Sequence, residues 1–212
     1  MTKALTLVNT PASEPRATLI LAHGAGAAMD SAFMETISKL LCDRGCEVVR
    51  FEFPYMAERR KTGSRRPPDR EVRLLEAWRE QLDKVASTLP QGRRLLIGGK
   101  SLGGRMASLI ADDATINGLV CLGYPFHPAG KPAQLRTEHL ARLKTPTLIV
   151  QGTRDRLGNS EEVASYSLSP AIEIQWLEDG DHDFKPRVKS GFTHAQQLQT
   201  AVEHVMTFIR RL

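Results

Sequence analysis

The segment Arg94-Leu95-Leu96-Ile97-Gly98-Gly99-Lys100-Ser101-Leu102-Gly103-Gly104-Arg105 decides how this chain is read. Its apolar start has the length of a buried strand, and the stretch after Ser101 has the amphipathic spacing of a helix. At the junction, Ser101 has a glycine two positions before it and another two after. In so tight a strand-to-helix turn the serine takes an unfavourable backbone conformation that holds its hydroxyl outward. Glycines at 99 and 103 let the strand and helix approach without a Cβ clash. Gly-x-Ser-x-Gly alone is a weak pattern, because glycine-rich loops also make plain turns or cradle phosphates. Here the flanking strand and helix supply the required context, and the glycine and Lys-Ser spacing of a phosphate loop is missing. Ser101 is therefore the candidate nucleophile. Lys100 is expected to point away and pair with a carboxylate, and Arg105, one turn on, to be structural.

Working outward, short apolar runs recur between helical patterns, with Gly or Pro as punctuation, which is how parallel strands joined by crossover helices read. Strands are expected near Ala4 to Val8, Thr18 to Ala22, Glu47 to Phe51, Arg94 to Gly98, Gly118 to Leu122, Thr147 to Gln151 and Ile172 to Leu177, the first at an edge. Helices are expected over Ser31 to Asp43, Asp69 to Thr88, Ser101 to Asp112, Ser160 to Ser167 and Thr193 to Arg211. In the last, Leu198, Val202, Val205, Phe208 and Ile209 form one apolar face. The fold class is thus α/β, and functional residues belong just beyond the carboxyl ends of strands. Pro54 to Pro68 and Gly123 to Lys144 read as irregular stretches able to rim a pocket, too short for a large lid.

Three further loops follow strands in this way. The run Leu19 to Ala22 enters His23-Gly24-Ala25-Gly26-Ala27, whose small residues permit close backbone approach. The N–H groups of Ala25 and Leu102 are assigned to an oxyanion hole, and His23 to a structural role. Thr147 to Gln151 leads into Gly152-Thr153-Arg154-Asp155, placing a carboxylate after the next strand. Ile172 to Leu177 leads into Glu178-Asp179-Gly180-Asp181-His182-Asp183-Phe184, with a histidine at its centre. The order Ser101, Asp155, His182 supplies a nucleophile, an orienting acid and a base. Asp179, Asp181 and Asp183 crowd His182, but a metal site would need more ligands with fitting spacing. No metal and no cofactor is expected. Candidate substrate-wall residues are Tyr55, Met56, Tyr124, Phe126 and His127, with core packing as the competing explanation.

Composition bounds these readings. The 212 residues suit one domain, and 41% hydrophobic with 25% charged residues excludes a disordered or fibrous chain. The net charge of +5 is concentrated in Arg59, Arg60, Lys61, Arg65, Arg66, Arg70 and Arg73. The absence of aromatics there weighs against nucleic acid and for a solvated loop. No run approaches the length of a membrane span, and Met1 to Val8 has no apolar segment before a cleavage site. With Cys42, Cys46 and Cys121 expected as reduced thiols, the expectation is a cytoplasmic protein with no membrane partner.

Together, His23-Gly24-Ala25-Gly26, Gly99-Lys100-Ser101-Leu102-Gly103-Gly104-Arg105, Gln151-Gly152-Thr153-Arg154-Asp155 and Gly180-Asp181-His182-Asp183-Phe184 resemble the α/β-hydrolase superfamily over nearly the whole chain. More narrowly, with Tyr124-Pro125-Phe126-His127-Pro128, they are similar to small dienelactone-hydrolase-like proteins and to the hydrolase-like domain of a chromatin-complex subunit. The resemblance implies a three-layer sandwich over residues 1–212, an eight-stranded mostly parallel sheet, a serine-hydrolase mechanism on a small acyl substrate, and no cofactor. Dienelactone hydrolase itself uses cysteine where this chain has Ser101, so its substrate does not carry over. The competing class is a non-catalytic scaffold of the same fold.

Overall fold

The computed structural model describes residues 6–212. Its strands are β1 Thr6–Asn9, β2 Ala17–Ala22, β3 Cys46–Phe51, β4 Arg94–Lys100, β5 Gly118–Leu122, β6 Thr147–Gly152 and β7 Ile172–Leu177. They form one sheet in the order β1-β3-β2-β4-β5-β6-β7, parallel except where β1 runs antiparallel to β3 at the edge. Of the strand expected from Ala4, residues 4 and 5 lie outside the described residues.

Every residue of β2 is buried, as a central strand covered on both faces requires. Its alternation distributes the core. Leu19 and Leu21 join the layer containing helices α1, Ala32–Cys42, and α6, His194–Arg211; Ile20 and Ala22 join the layer containing α3, Glu71–Ala86, and α4, Leu102–Ser108. Trp78 of α3 is fully buried, and its Nε1 donates to the Gly103 carbonyl at 3.3 Å, so this layer also supports the turn at Ser101. The apolar face of α6 is buried as the sequence spacing predicts, and Thr193 caps the helix by accepting from Gln196 N.

Four expectations need correction. The resemblance implied eight strands, whereas seven form among the described residues. Among the described residues only β1 precedes β2, and the connection contains Pro11 and Pro15, which cannot donate to a ladder. The stretch from Pro54 to Pro68 is not wholly irregular: Pro54–Thr62 forms α2, with proline in its first turn and Gly63 capping it at φ 69°. The helix expected over Ser101 to Asp112 ends at Ser108, and Ala111–Asp113 forms a separate 3-10 turn. There the Asp112 carboxylate takes the backbone N–H groups of Lys144 and Thr145, binding the turn to the chain that enters β6. The helix Ser160–Val163, α5, is likewise shorter than expected, though Asn159 and Glu162 form a full capping box.

All three cysteines are free thiols; Cys46 and Cys121 are buried, and burial pushes the Cys46 thiol up to about 12. Among the described residues no helix is long and apolar enough to cross a membrane.

Candidate active site

Strand order creates the site. From β2 the chain moves to β3 on one side and then to β4 on the other, so the loops after β2 and β4 diverge and leave a crevice at their carboxyl ends. Ser101 follows β4 on one wall, and His23 to Ala27 follow β2 on the other.

Ser101 takes φ 51° and ψ −114°, a strained conformation for a residue with a Cβ. Its surroundings leave no alternative path. A Cβ on Gly99 would lie 2.6 Å from the Ala22 carbonyl oxygen, and one on Gly103 would lie 2.5 Å from the same atom. Strand β2, strand β4 and the start of α4 therefore touch backbone to backbone. The Ser101 N–H donates to Leu122 O at 3.0 Å, tying the turn to β5 as well.

Asp155 and His182 come from the loops after β6 and β7. These loops meet over Gly152, where a Cβ would lie 2.3 Å from the Gly180 oxygen, and Arg154 N donates to Gly180 O at 2.9 Å. Asp155 is fully buried. Its Oδ2 accepts from His182 Nδ1 at 2.7 Å and from Gln151 Nε2 at 2.8 Å, and its Oδ1 accepts from Leu157 N at 2.8 Å. On the other side of the ring, His182 Nε2 lies 2.9 Å from Ser101 Oγ. An ionised Asp155 can only accept, so the proton sits on Nδ1 and Nε2 is free to accept from the serine hydroxyl. The structure thus brings Ser101, His182 and Asp155 into one hydrogen-bonded chain.

Ala25 is exposed beside this chain and Leu102 opens α4, and neither backbone N–H donates to an acceptor among the described residues. The Ala25 loop is held from behind. Tyr55 Oη donates to the Ala25 carbonyl at 3.1 Å, and Arg59 of α2 reaches the Gly26 carbonyl at 3.5 Å. His23 is fully buried, its Nδ1 donating to Gly24 O at 2.7 Å and its Nε2 accepting from Phe53 N at 3.1 Å; burial lowers its pKa. Its place is structural.

The neighbouring acids have other partners. Asp179 pairs with Arg187 and Arg154, and the Arg187 hydrogen bonds hold its carboxyl at about 2. Asp181 accepts from the N–H groups of Asp183 and Lys185. Asp183 lies 3.4 Å from Lys100. Lys100 is buried and does not simply point away: its Nζ donates to the His182 carbonyl at 2.7 Å, holding the histidine's own backbone.

The five expected wall residues are placed differently. Tyr55, Met56, Tyr124, Phe126 and His127 are all at most 3% exposed, so they pack in the interior instead of forming an open wall. The aromatic rings of Tyr55, Tyr124 and Phe126 join the core on the α3 and α4 face, and the Tyr124 hydroxyl donates to Arg136 O. Sequence reading missed Gln151. Its Nε2 bonds Asp155, Tyr124 O and Gly158 O, while its Oε1 accepts from Tyr124 N at 2.7 Å. The available signal was a polar side chain ending an otherwise apolar buried strand.

The model of the family described as an alpha/beta hydrolase domain matches residues 15–210. This chain belongs to the α/β-hydrolase family. Three solved structures share the fold over nearly their whole length. An alpha-beta serine hydrolase homologue from Coxiella burnetii is 22% identical, with a TM-score of 0.72, covering 98% of this chain and 90% of its own. A serine hydrolase without lid from Xanthomonas campestris is 20% identical, with a TM-score of 0.73 and coverage of 99% and 94%. A dienelactone hydrolase from Anabaena variabilis is 19% identical, with a TM-score of 0.72 and coverage of 97% and 92%.

Proposed function

We propose that this α/β hydrolase is a serine hydrolase that cleaves carboxylic esters or thioesters of small molecules through an acyl-enzyme. The reading rests above all on the unbroken contact from Asp155 through His182 to Ser101, at 2.7 and 2.9 Å. His182 Nε2 takes the hydroxyl proton as Ser101 Oγ attacks the acyl carbonyl. The resulting oxyanion accepts from the N–H groups of Ala25 and Leu102. Collapse breaks the bond to the alcohol or thiol, which leaves with the proton from His182 Nε2. Water then repeats the sequence on the acyl-enzyme and restores Ser101. Asp155 keeps the imidazole in the required tautomer and stabilises its protonated form.

A non-catalytic scaffold would have no use for the strain at Ser101, a cost of about 1–3 kcal/mol that persists where it serves a site. The three free thiols favour a reducing compartment, and we place the protein in the cytoplasm. Labelling with a fluorophosphonate probe followed by peptide mass mapping tests the assignment. The expected result is a single adduct on Ser101, absent in Ser101→Ala, with ester turnover in that variant down by about a millionfold. A folded wild-type protein that takes no probe and hydrolyses no ester would instead be the scaffold.

A further inference from the structure

Tyr55 carries a hydroxyl into a cluster of rings. It is 1% exposed, with His23 and Phe53 against its ring, where a phenylalanine would pack as well. Burying a polar group is unfavourable unless it is bonded. The Tyr55 proton is shared between two carbonyls of one loop, Gly24 O at 3.3 Å and Ala25 O at 3.1 Å. Burial raises the pKa of this phenol, so the hydroxyl keeps its proton as a donor. One turn further along the same face of α2, Arg59 Nη1 lies 3.5 Å from Gly26 O, its one hydrogen bond among the described residues. The helix is itself fastened: Arg60 donates to the buried Glu52 Oε1 at 2.5 Å and to Asp30 Oδ2 at 2.8 Å. Thus α2 grips three successive carbonyls, those of residues 24, 25 and 26.

A gripped carbonyl fixes the direction of the N–H in its own peptide. A trans peptide is planar, with C=O and N–H pointing opposite ways, and no peptide among the described residues is cis. Gly24 O and the Ala25 N–H belong to one such unit. Gly24 O is turned towards Tyr55 Oη and His23 Nδ1, so the Ala25 N–H is turned away from them. This peptide lies beside the nucleophile, since a Cβ on Gly24 would be 3.7 Å from Ser101 Cβ. The second Tyr55 contact, to Ala25 O, fixes the next peptide, and the backbone is held on both sides of the Ala25 Cα. We propose that Tyr55, aided by Arg59, is a positioning residue for catalysis: its hydroxyl holds the Gly24–Ala25 peptide so that the Ala25 N–H meets the oxyanion formed at Ser101. The proposal rests on the serine-hydrolase reading and adds to it a residue that touches no substrate. It also gives part of the basic segment a task within the fold, because α2 backs the oxyanion loop.

The test compares the full chain as wild type, Tyr55→Phe, Arg59→Gln and the control Thr147→Val. The buried Thr147 hydroxyl donates to Thr145 O at 2.8 Å at the start of β6, the end of the sheet away from Ser101. Valine there removes a comparable buried bond without touching the loop. Two rates are measured per folded molecule, beside thermal melts: fluorophosphonate labelling of Ser101 and steady-state hydrolysis of p-nitrophenyl acetate. Both reactions place a negative oxygen in the hole.

Tyr55→Phe is expected to lower the labelling rate and kcat at least fivefold while KM stays within twofold, because the misaligned donor weakens the transition state and leaves ground-state binding alone. Arg59→Gln should lower both rates about threefold, and Thr147→Val should match wild type. A smaller loss in Tyr55→Phe, an equal loss in Thr147→Val, or a raised KM at constant kcat overturns the role. If Tyr55→Phe does not stay folded, the half-buried Arg59 decides: a threefold loss in Arg59→Gln supports the grip of α2, and wild-type rates overturn it. A wild type that takes no probe and hydrolyses no ester ends the hydrolase reading and this role with it. A reactive wild type whose rates survive Tyr55→Phe ends the role alone.

Discussion

The two halves of the candidate active site are held in place by different physics. On the nucleophile side, β2, β4 and α4 meet backbone to backbone, and Gly99 and Gly103 leave no space between them and Ala22. Position there is set by repulsion, which is short-ranged and insensitive to pH. On the acid and base side, the loops after β6 and β7 are joined largely by polar side chains. Gln151 and Leu157 N hold Asp155, Lys100 holds the His182 carbonyl, and Arg154 and Arg187 hold Asp179. Position there is set by directed hydrogen bonds and charge, which respond to protonation. A rigid wall thus faces a tunable one, and the serine-to-imidazole contact lies at their junction.

That contrast can be broken from either side. The largest expected effect is on the polar half: Asp155→Asn should leave the fold intact, because the amide oxygen can still accept from Leu157 N, yet lower kcat by about ten-thousandfold, because the amide nitrogen then faces His182 Nδ1 and favours the wrong imidazole tautomer. Steady-state kinetics beside a thermal melt checks this, and a melt that collapses with the rate would mean Asp155 is chiefly structural. Gly103→Ala attacks the steric half. The new methyl would meet the Ala22 oxygen at 2.5 Å, so the variant should lose about 3 kcal/mol in urea unfolding or fail to accumulate as soluble protein.

The smallest effect sharpens the comparison by pH. Asp179 ionises in the fold at about 2, below its ordinary 3.8, so its stabilisation is present above pH 4 and is lost as pH falls through about 2. Arg154 and Arg187 keep their charge throughout. Hydrogen exchange between those pH values should show the 179–187 segment loosening a few-fold while residues 99–104 hold. Equal loosening of both segments would erase the distinction.

The readings that agree with the structure depended on local pattern. Strands were legible because a parallel strand buried on both faces is apolar throughout, as β2 is. The carboxyl ends of such strands locate the loops where functional groups gather, so Ser101, Asp155 and His182 were named from position and order. Helix ends were less legible. The short α4 owes its end to Asp112, whose partners Lys144 and Thr145 lie some thirty residues away. The short α2 was visible only in its proline start and glycine end. The wall residues were misread because an aromatic in a loop after a strand looks the same whether it turns outward or, like Tyr124 and Phe126, folds under the loop into the core.

By itself, the sequence determined the α/β alternation, the turn that exposes a serine, and the loops carrying an acid and a base, since each follows from hydrophobic period and backbone sterics over a few residues. Only the tertiary structure decided which of four aspartates meets the imidazole, and that Gln151 and Lys100 hold the loops carrying Asp155 and His182. Those are distances between segments far apart in the chain. They are set by strand order and by what remains buried once the core has closed, and no local spacing encodes them.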